Sequence, residues 1–103
     1  MKLMTKELEK LFPPLYATEE KDPKDIKIIA KFFTPWSNWT WYATEYDPQK
    51  RIFFGYVRGL ENELGYFSLD ELESVKGPFG LTIERDLYFG FNHTLAEAME
   101  KPI

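Results

Sequence analysis

Phe32-Phe33-Thr34-Pro35-Trp36-Ser37-Asn38-Trp39-Thr40-Trp41-Tyr42 holds all three tryptophans of the chain. It joins two runs with strand periodicity. Upstream, Ile26, Ile28, Ala30 and Phe32 alternate with Lys27, Ile29, Lys31 and Phe33, which predicts a strand over 26–33 with one fully apolar face. Thr34 to Asn38 reads as a turn or short loop. Trp39 to Tyr46 is the next strand, with Trp39, Trp41, Ala43 and Glu45 on one side and Thr40, Tyr42, Thr44 and Tyr46 on the other. Asp47-Pro48-Gln49-Lys50 has Asp at the first and Pro at the second position of a type I turn. Arg51 to Arg58 returns, with Ile52, Phe54 and Tyr56 alternating against Phe53, Gly55 and Val57. Gly55 in mid-strand predicts a bulge, or a place where a tryptophan lies across the backbone.

The flanking segments complete the element list. Thr5 caps a short helix over about 6–12, with Leu8, Leu11 and Phe12 at i, i+3, i+4 on its buried side and Pro13-Pro14 as its stop. Residues 17–25 are polar and read as a loop. After Gly59, Leu60 to Phe67 predicts a third meander strand. Leu60, Asn62, Leu64 and Tyr66 share one face, with Glu61 and Glu63 on the other. Ser68 and Glu71 form a capping-box pattern for a helix over 69–75, with Phe67 and Leu72 as its hydrophobic staple. Gly77-Pro78-Phe79-Gly80 is a turn, residues 81–89 alternate as a last strand, and Thr94 with Glu97 opens a short helix near the C-terminus. The expected fold is α+β. A single domain over 1–103 carries an antiparallel β-meander of about four to five strands, with its helices on one face or at one end.

Composition narrows the function classes. The 103 residues include nine Phe, six Tyr and three Trp, enough for one core without staples. There is no cysteine, hence no disulfide framework and no thiolate zinc site. Charged residues interrupt the first ten positions, so no signal peptide is expected there, and no apolar run is long enough to span a bilayer. The expectation is a soluble, cytoplasmic protein with no membrane contact and no cofactor. Net charge is −4 but uneven. Residues 1–58 carry ten Lys/Arg against eight Asp/Glu, and residues 59–103 carry three against nine. The second half therefore offers an acidic face, and the whole chain is a poor default binder of phosphate backbones.

Several separated motifs carry a resemblance. They are Leu11-Phe12-Pro13-Pro14-Leu15-Tyr16-Ala17-Thr18, Phe32-Phe33-Thr34-Pro35, Ser37-Asn38-Trp39-Thr40-Trp41-Tyr42, Glu63-Leu64-Gly65-Tyr66-Phe67-Ser68 and Ile83-Glu84-Arg85-Asp86. In this order they resemble the bacterial family catalogued as domain of unknown function 2958, from Leu3 to about Phe89. The resemblance implies a small protein often encoded on plasmids and other mobile elements. It implies no activity and supplies no catalytic residues.

Three kinds of chemistry are open to these residues. Trp36, Trp39, Trp41, Tyr42, Tyr46 and Tyr56, with Glu61 and Glu63 beside them, would form an aromatic and acidic sheet face that recognises another protein, since aromatics are the usual interface anchors. This is the leading expectation: a non-enzymatic accessory module of a mobile element. The same rings with Lys27, Lys31, Arg51 and Arg58 would instead stack and hold single-stranded nucleic acid. The acids of the second half would let the chain act as an anti-defence inhibitor by mimicking phosphates. Catalysis has less to draw on. Glu61 and Glu63 stand roughly 6.5–7 Å apart along a strand, a spacing some glycosidases use but one common on solvated strand faces. His93 is a lone histidine near a helix start, and no residues have metal-ligand spacing. Arg85, if it points inward, needs an acid, and Glu61 or Glu63 is the expected partner.

Overall fold

Thr40–Asp47 (β2) and Ile52–Arg58 (β3) form the expected hairpin, paired from Thr40↔Arg58 to Asp47↔Ile52. The computed structural model describes residues 1–103. Ala30–Phe33 (β1) pairs with β2, Asn62–Ser68 (β4) with β3, and the two-residue Glu84–Arg85 (β5) with β1, all antiparallel. The sheet order is β4-β3-β2-β1-β5. Helices are short: Lys6–Glu9 (α1), Leu69–Ser74 (α2) and Leu95–Glu100 (α3). The α+β meander expected from the sequence is the fold observed.

Both faces of the sheet are covered, rather than one. Leu3, Met4, Leu8 and Phe12 from the N-terminal segment, Leu69 and Leu72 from α2, and Ile83 pack on one face against Phe32, Ala43, Tyr46, Phe53 and Phe67. Ile26, Ile28, Phe89 and, from α3, Leu95 and Ala98 pack on the other against Tyr42 and Tyr56. Phe53 is the hub of the first core. Its ring lies 4.6 Å from that of Tyr46, 5.3 Å from those of Phe32 and Phe67, and 5.5 Å from that of Phe12.

Two irregularities change the facing of side chains. In β2 the register moves from Ala43↔Gly55 to Glu45↔Phe54, leaving Thr44 as the extra residue of a bulge. A bulge reverses the alternation beyond it. Tyr46 therefore joins Ala43 in the first core, and Glu45 turns to the face of Tyr42, the opposite of a regular strand. Gly55 sits opposite, where any Cβ would collide with the Tyr42 carbonyl. The glycine signal thus marked a bulge, in the partner strand. In the first strand, Ile29 N–H donates to the Ala43 carbonyl (2.8 Å) while Ala30 is Ala43's register partner. Ile28 consequently belongs to the second core and Ala30 and Phe32 to the first, so residues 26–33 do not share one face.

Boundaries differ where loop chemistry won. Asp47 is followed by a four-residue loop. The Arg51 N–H donates to the Asp47 carbonyl (2.7 Å), and Arg51 has φ 57°, so β3 starts one residue late. Leu60 and Glu61 lie in the β3–β4 turn, not in the strand. α1 ends at Glu9, leaving Leu11 exposed. Ser68 caps α2 by accepting from Glu71 N–H (3.2 Å), whereas Thr94 and Glu97 form the full reciprocal box at α3.

Candidate functional site

The loop between β1 and β2 is closed by one backbone hydrogen bond and one to the Thr34 hydroxyl. Thr34 N–H donates to the Trp39 carbonyl (3.1 Å), and Trp39 N–H donates to Thr34 Oγ1 (3.2 Å). That closure sets Trp36, Trp39 and Trp41 on one side of the sheet end. Trp39 and Trp41 stack at 5.7 Å and 25°. Trp39 covers Gly59 and Trp36 covers Gly77, where a Cβ would lie 2.6 Å from the indole. The tryptophan-over-glycine contact exists, at these glycines rather than at Gly55. The three half-buried indoles line an open groove of about 330 Å³ with Thr34, Ser37 and Val75. No charged side chain lines it.

The register brings acids to the same face. Trp41 pairs with Val57, and Val57 with Glu63, so the three form a row across β2, β3 and β4. Glu61, in the turn, follows one step further beside Gly59. Both acids are exposed, and neither is in an ion pair. Trp36, Trp39, Trp41, Glu61 and Glu63 therefore belong to one end of one face.

The tyrosines do not. Tyr42, Tyr46 and Tyr56 are only 1%, 2% and 8% exposed. Tyr46 reaches the first core through the bulge, and Tyr42 and Tyr56 fill the second. Burial raises the Tyr46 hydroxyl above its usual range, partly opposed by Arg51. These three rings are packing, and the surface role expected of them is withdrawn.

The cations are dispersed as well. Lys31 Nζ donates to the Ile103 carbonyl (2.6 Å) and lies 3.6 Å from Asp86. Arg58 donates two bonds to the Ala98 carbonyl (3.1 and 2.6 Å), capping α3 on the face opposite the tryptophans. Arg51 pairs with Asp70 (2.7 Å) and Glu73 (2.6 Å), tying the hairpin loop to α2, and the Asp70 hydrogen bond raises its pKa. Lys27 is exposed beside Thr94. None of the four lines the tryptophan groove. Arg85 donates to the Leu3 carbonyl (2.9 Å). Its expected pairing with Glu61 or Glu63 is ruled out, because β5 and β4 are opposite edges of the sheet.

One feature escaped the sequence reading. Glu45 is 3% exposed and accepts from Tyr16 N–H (2.8 Å), Thr18 N–H (2.9 Å) and the Thr18 hydroxyl. It anchors a loop in which Tyr16 takes φ 73°, a backbone region that aromatic residues rarely occupy. Beside it lies a cavity of about 240 Å³ lined by Tyr16, Phe54, Leu64, Tyr66, Ile26 and Leu95 among others. Tyr66 stands edge-on to both Tyr16 (6.4 Å) and Phe54 (5.1 Å). Loss of hydration, and next the neighbouring Tyr16, raises the Tyr66 hydroxyl above its usual range. The available signal was a glutamate between aromatic and small residues of a strand, two positions from Ala43, the partner of the mid-strand Gly55. Elsewhere, no three His, Asp or Glu side chains converge to hold a metal ion, and no helix is long and apolar enough to cross a membrane.

A family described as protein of unknown function (DUF2958) matches residues 3–101. The chain belongs to this family. No curated protein and no solved structure matches it. Membership in the DUF2958 family extends the sequence resemblance through the tail after Phe91, including α3 and its capping box.

Proposed function

We propose that this chain is a protein-recognition module whose contact face is the Trp36, Trp39 and Trp41 groove with Glu61 and Glu63 on its flank. The observation that carries the reading is the row Trp41–Val57–Glu63, which puts a ring platform and an unpaired carboxylate on one face with only Val57 between them. Large, half-buried rings supply contact area at little entropic cost, and rim acids select the partner's charge. The partner favoured is a protein surface with apolar and basic residues. An accessory role on a mobile element belongs to this proposal as what the family resemblance implies.

Single-stranded nucleic acid is the weaker reading on the same groove. It requires cations beside the rings. Lys31, Arg51 and Arg58 are spent on tethers elsewhere. All three indoles lie in the groove, so tryptophan fluorescence reports on it directly. Titration with mixed-sequence single-stranded DNA and RNA at low salt is expected to leave the emission unchanged. Saturable quenching that weakens with salt would overturn the proposal. On the positive side, a partner captured from the source cells should be lost from Trp39→Ala and Glu63→Lys proteins and kept by Tyr88→Ala, an exposed ring outside the groove.

A further inference from the structure

β4 is the long sheet edge left open. The opposite edge ends in the two-residue β5, whereas β4 runs for seven residues with no strand beyond it. The Leu69 N–H donates to the Arg51 carbonyl (2.9 Å), one step past the pair Ile52↔Ser68 in the same register. Hydrogen-bonded pairs alternate along an antiparallel ladder. Glu63, Gly65 and Phe67 therefore direct their backbone groups inward to β3, and Asn62, Leu64 and Tyr66 direct theirs outward. No turn or loop hydrogen bond reaches these outward groups. All three residues are exposed.

The two faces of β4 differ in chemistry. On one, Leu64 and Tyr66 continue into the Phe54-lined cavity. On the other, Glu63 stands beside Val57, with Glu61 in the adjoining turn. Residues 59–75 carry five acids and no Lys or Arg. Arg51 reaches this edge from outside and is engaged by Asp70 and Glu73, leaving Glu61 and Glu63 without a counter-charge.

We infer that β4 accepts, as a sixth strand, an extended segment of a partner protein in which apolar residues alternate with Lys or Arg. The apolar side chains lie along Leu64 and Tyr66, the cationic ones along Glu63 and Glu61, and the outward backbone groups of Asn62, Leu64 and Tyr66 supply the ladder. This rests on the protein-recognition reading and names the form of the partner. A second copy of the chain is the poorer occupant, because it brings the same uncompensated acids to the same edge.

The probe is a capped heptapeptide of alternating valine and lysine, with valine and glutamate as its counterpart, followed by amide NMR and hydrogen exchange on the full chain. The lysine peptide is expected to shift the amides of Asn62, Leu64 and Tyr66 and slow their exchange. Leu64→Pro removes an outward amide and leaves the β3 ladder intact, so it should weaken binding about tenfold. Glu63→Lys, a surface change that keeps the fold, should weaken the lysine peptide and strengthen the glutamate one. No binding up to about 1 mM peptide overturns the inference. Equal binding of the two peptides overturns its charge assignment. Protection of β4 that rises with protein concentration alone makes a second copy the occupant instead. Shifts confined to Trp36, Trp39 and Trp41 sink the edge inference while leaving the protein-recognition reading standing, whereas quenching by nucleic acid removes that reading itself.

Discussion

The Glu45 carboxylate holds the Thr18 amide at 2.9 Å across a sequence separation of 27 residues. The bulge at Thr44 makes this possible by turning Glu45 out of the first core and toward the Tyr16–Thr18 loop. A buried carboxylate persists only where hydrogen bonds replace its water, and here the amides of Tyr16 and Thr18 and the Thr18 hydroxyl do so. Glu45→Ala leaves those donors without an acceptor. The expected loss is about 2–3 kcal/mol, read as a lower urea midpoint, with faster exchange of the Tyr16 and Thr18 amides. A midpoint within error of the parent would show that the loop holds itself.

Gly55 and Gly65 face one another across β3 and β4, yet their substitutions should diverge. A Cβ at Gly55 drives into the Tyr42 carbonyl, which is backbone and cannot swing aside. Gly55→Ala is expected to cost about 1–3 kcal/mol or prevent folding, because the bulge and its partner strand must separate. A Cβ at Gly65 meets nothing within 4 Å. Gly65→Ala should be neutral or stabilise by about 0.5–1 kcal/mol through reduced unfolded-state freedom. Equal effects in thermal unfolding of the two variants would contradict the bulge geometry.

Most of the architecture was legible because its signals are local. Alternation placed β2, β3 and the core of β4. Ser68 and Thr94 marked both later helices, and Asp47-Pro48 marked the hairpin loop. What was not legible depends on one-residue irregularities. The Thr44 bulge exchanges the faces of Glu45 and Tyr46, and nothing in Tyr42-Ala43-Thr44-Glu45-Tyr46 announces which residue is the extra one. That irregularity moved Tyr46 into the first core, whereas Tyr42 and Tyr56 are buried because Ile26, Ile28, Phe89 and α3 cover the second face. Pairings between distant segments were also hidden. Composition places Arg58 and Lys31 near aromatic rings, but only the tertiary fold shows them bound to the Ala98 and Ile103 carbonyls. The tryptophan and glutamate face was readable in part, since β2 and β4 flank β3 in one short-linked meander.

Arg58 distinguishes a tether from a phosphate contact. Its two bonds to the Ala98 carbonyl, with the guanidinium 5.6 Å from the Tyr56 ring, clamp the last turn of α3 to β3. Arg58→Met keeps much of the aliphatic stem and removes the donors. The expected result is a loss of about 1–2 kcal/mol, with faster amide exchange concentrated in Leu95 to Glu100. Unchanged exchange in α3 would free Arg58 for another role.

Glu97 gives the fold a directional response to acid at α3. Its carboxylate accepts from Thr94 N–H (3.0 Å) and lies 3.3 Å from His93 Nδ1. The backbone hydrogen bond from Thr94, and then the contact with His93, hold its pKa below the ordinary 4.5. A carboxyl depressed in the folded state contributes its full stabilisation above the unfolded value and loses it as pH falls through the folded one. Anchoring of α3 should therefore be constant from neutral pH down to about 5 and weaken progressively below the usual carboxylate range. Hydrogen exchange of the Leu95 to Glu100 amides between those limits reads it. Glu97→Gln keeps an acceptor for the Thr94 amide but cannot titrate, so its local acid response should flatten. His93→Ala removes the second cause of the depression, so the stabilisation lost in acid should be smaller and its loss complete at higher pH. An unchanged acid profile in Glu97→Gln would place the response in another carboxylate.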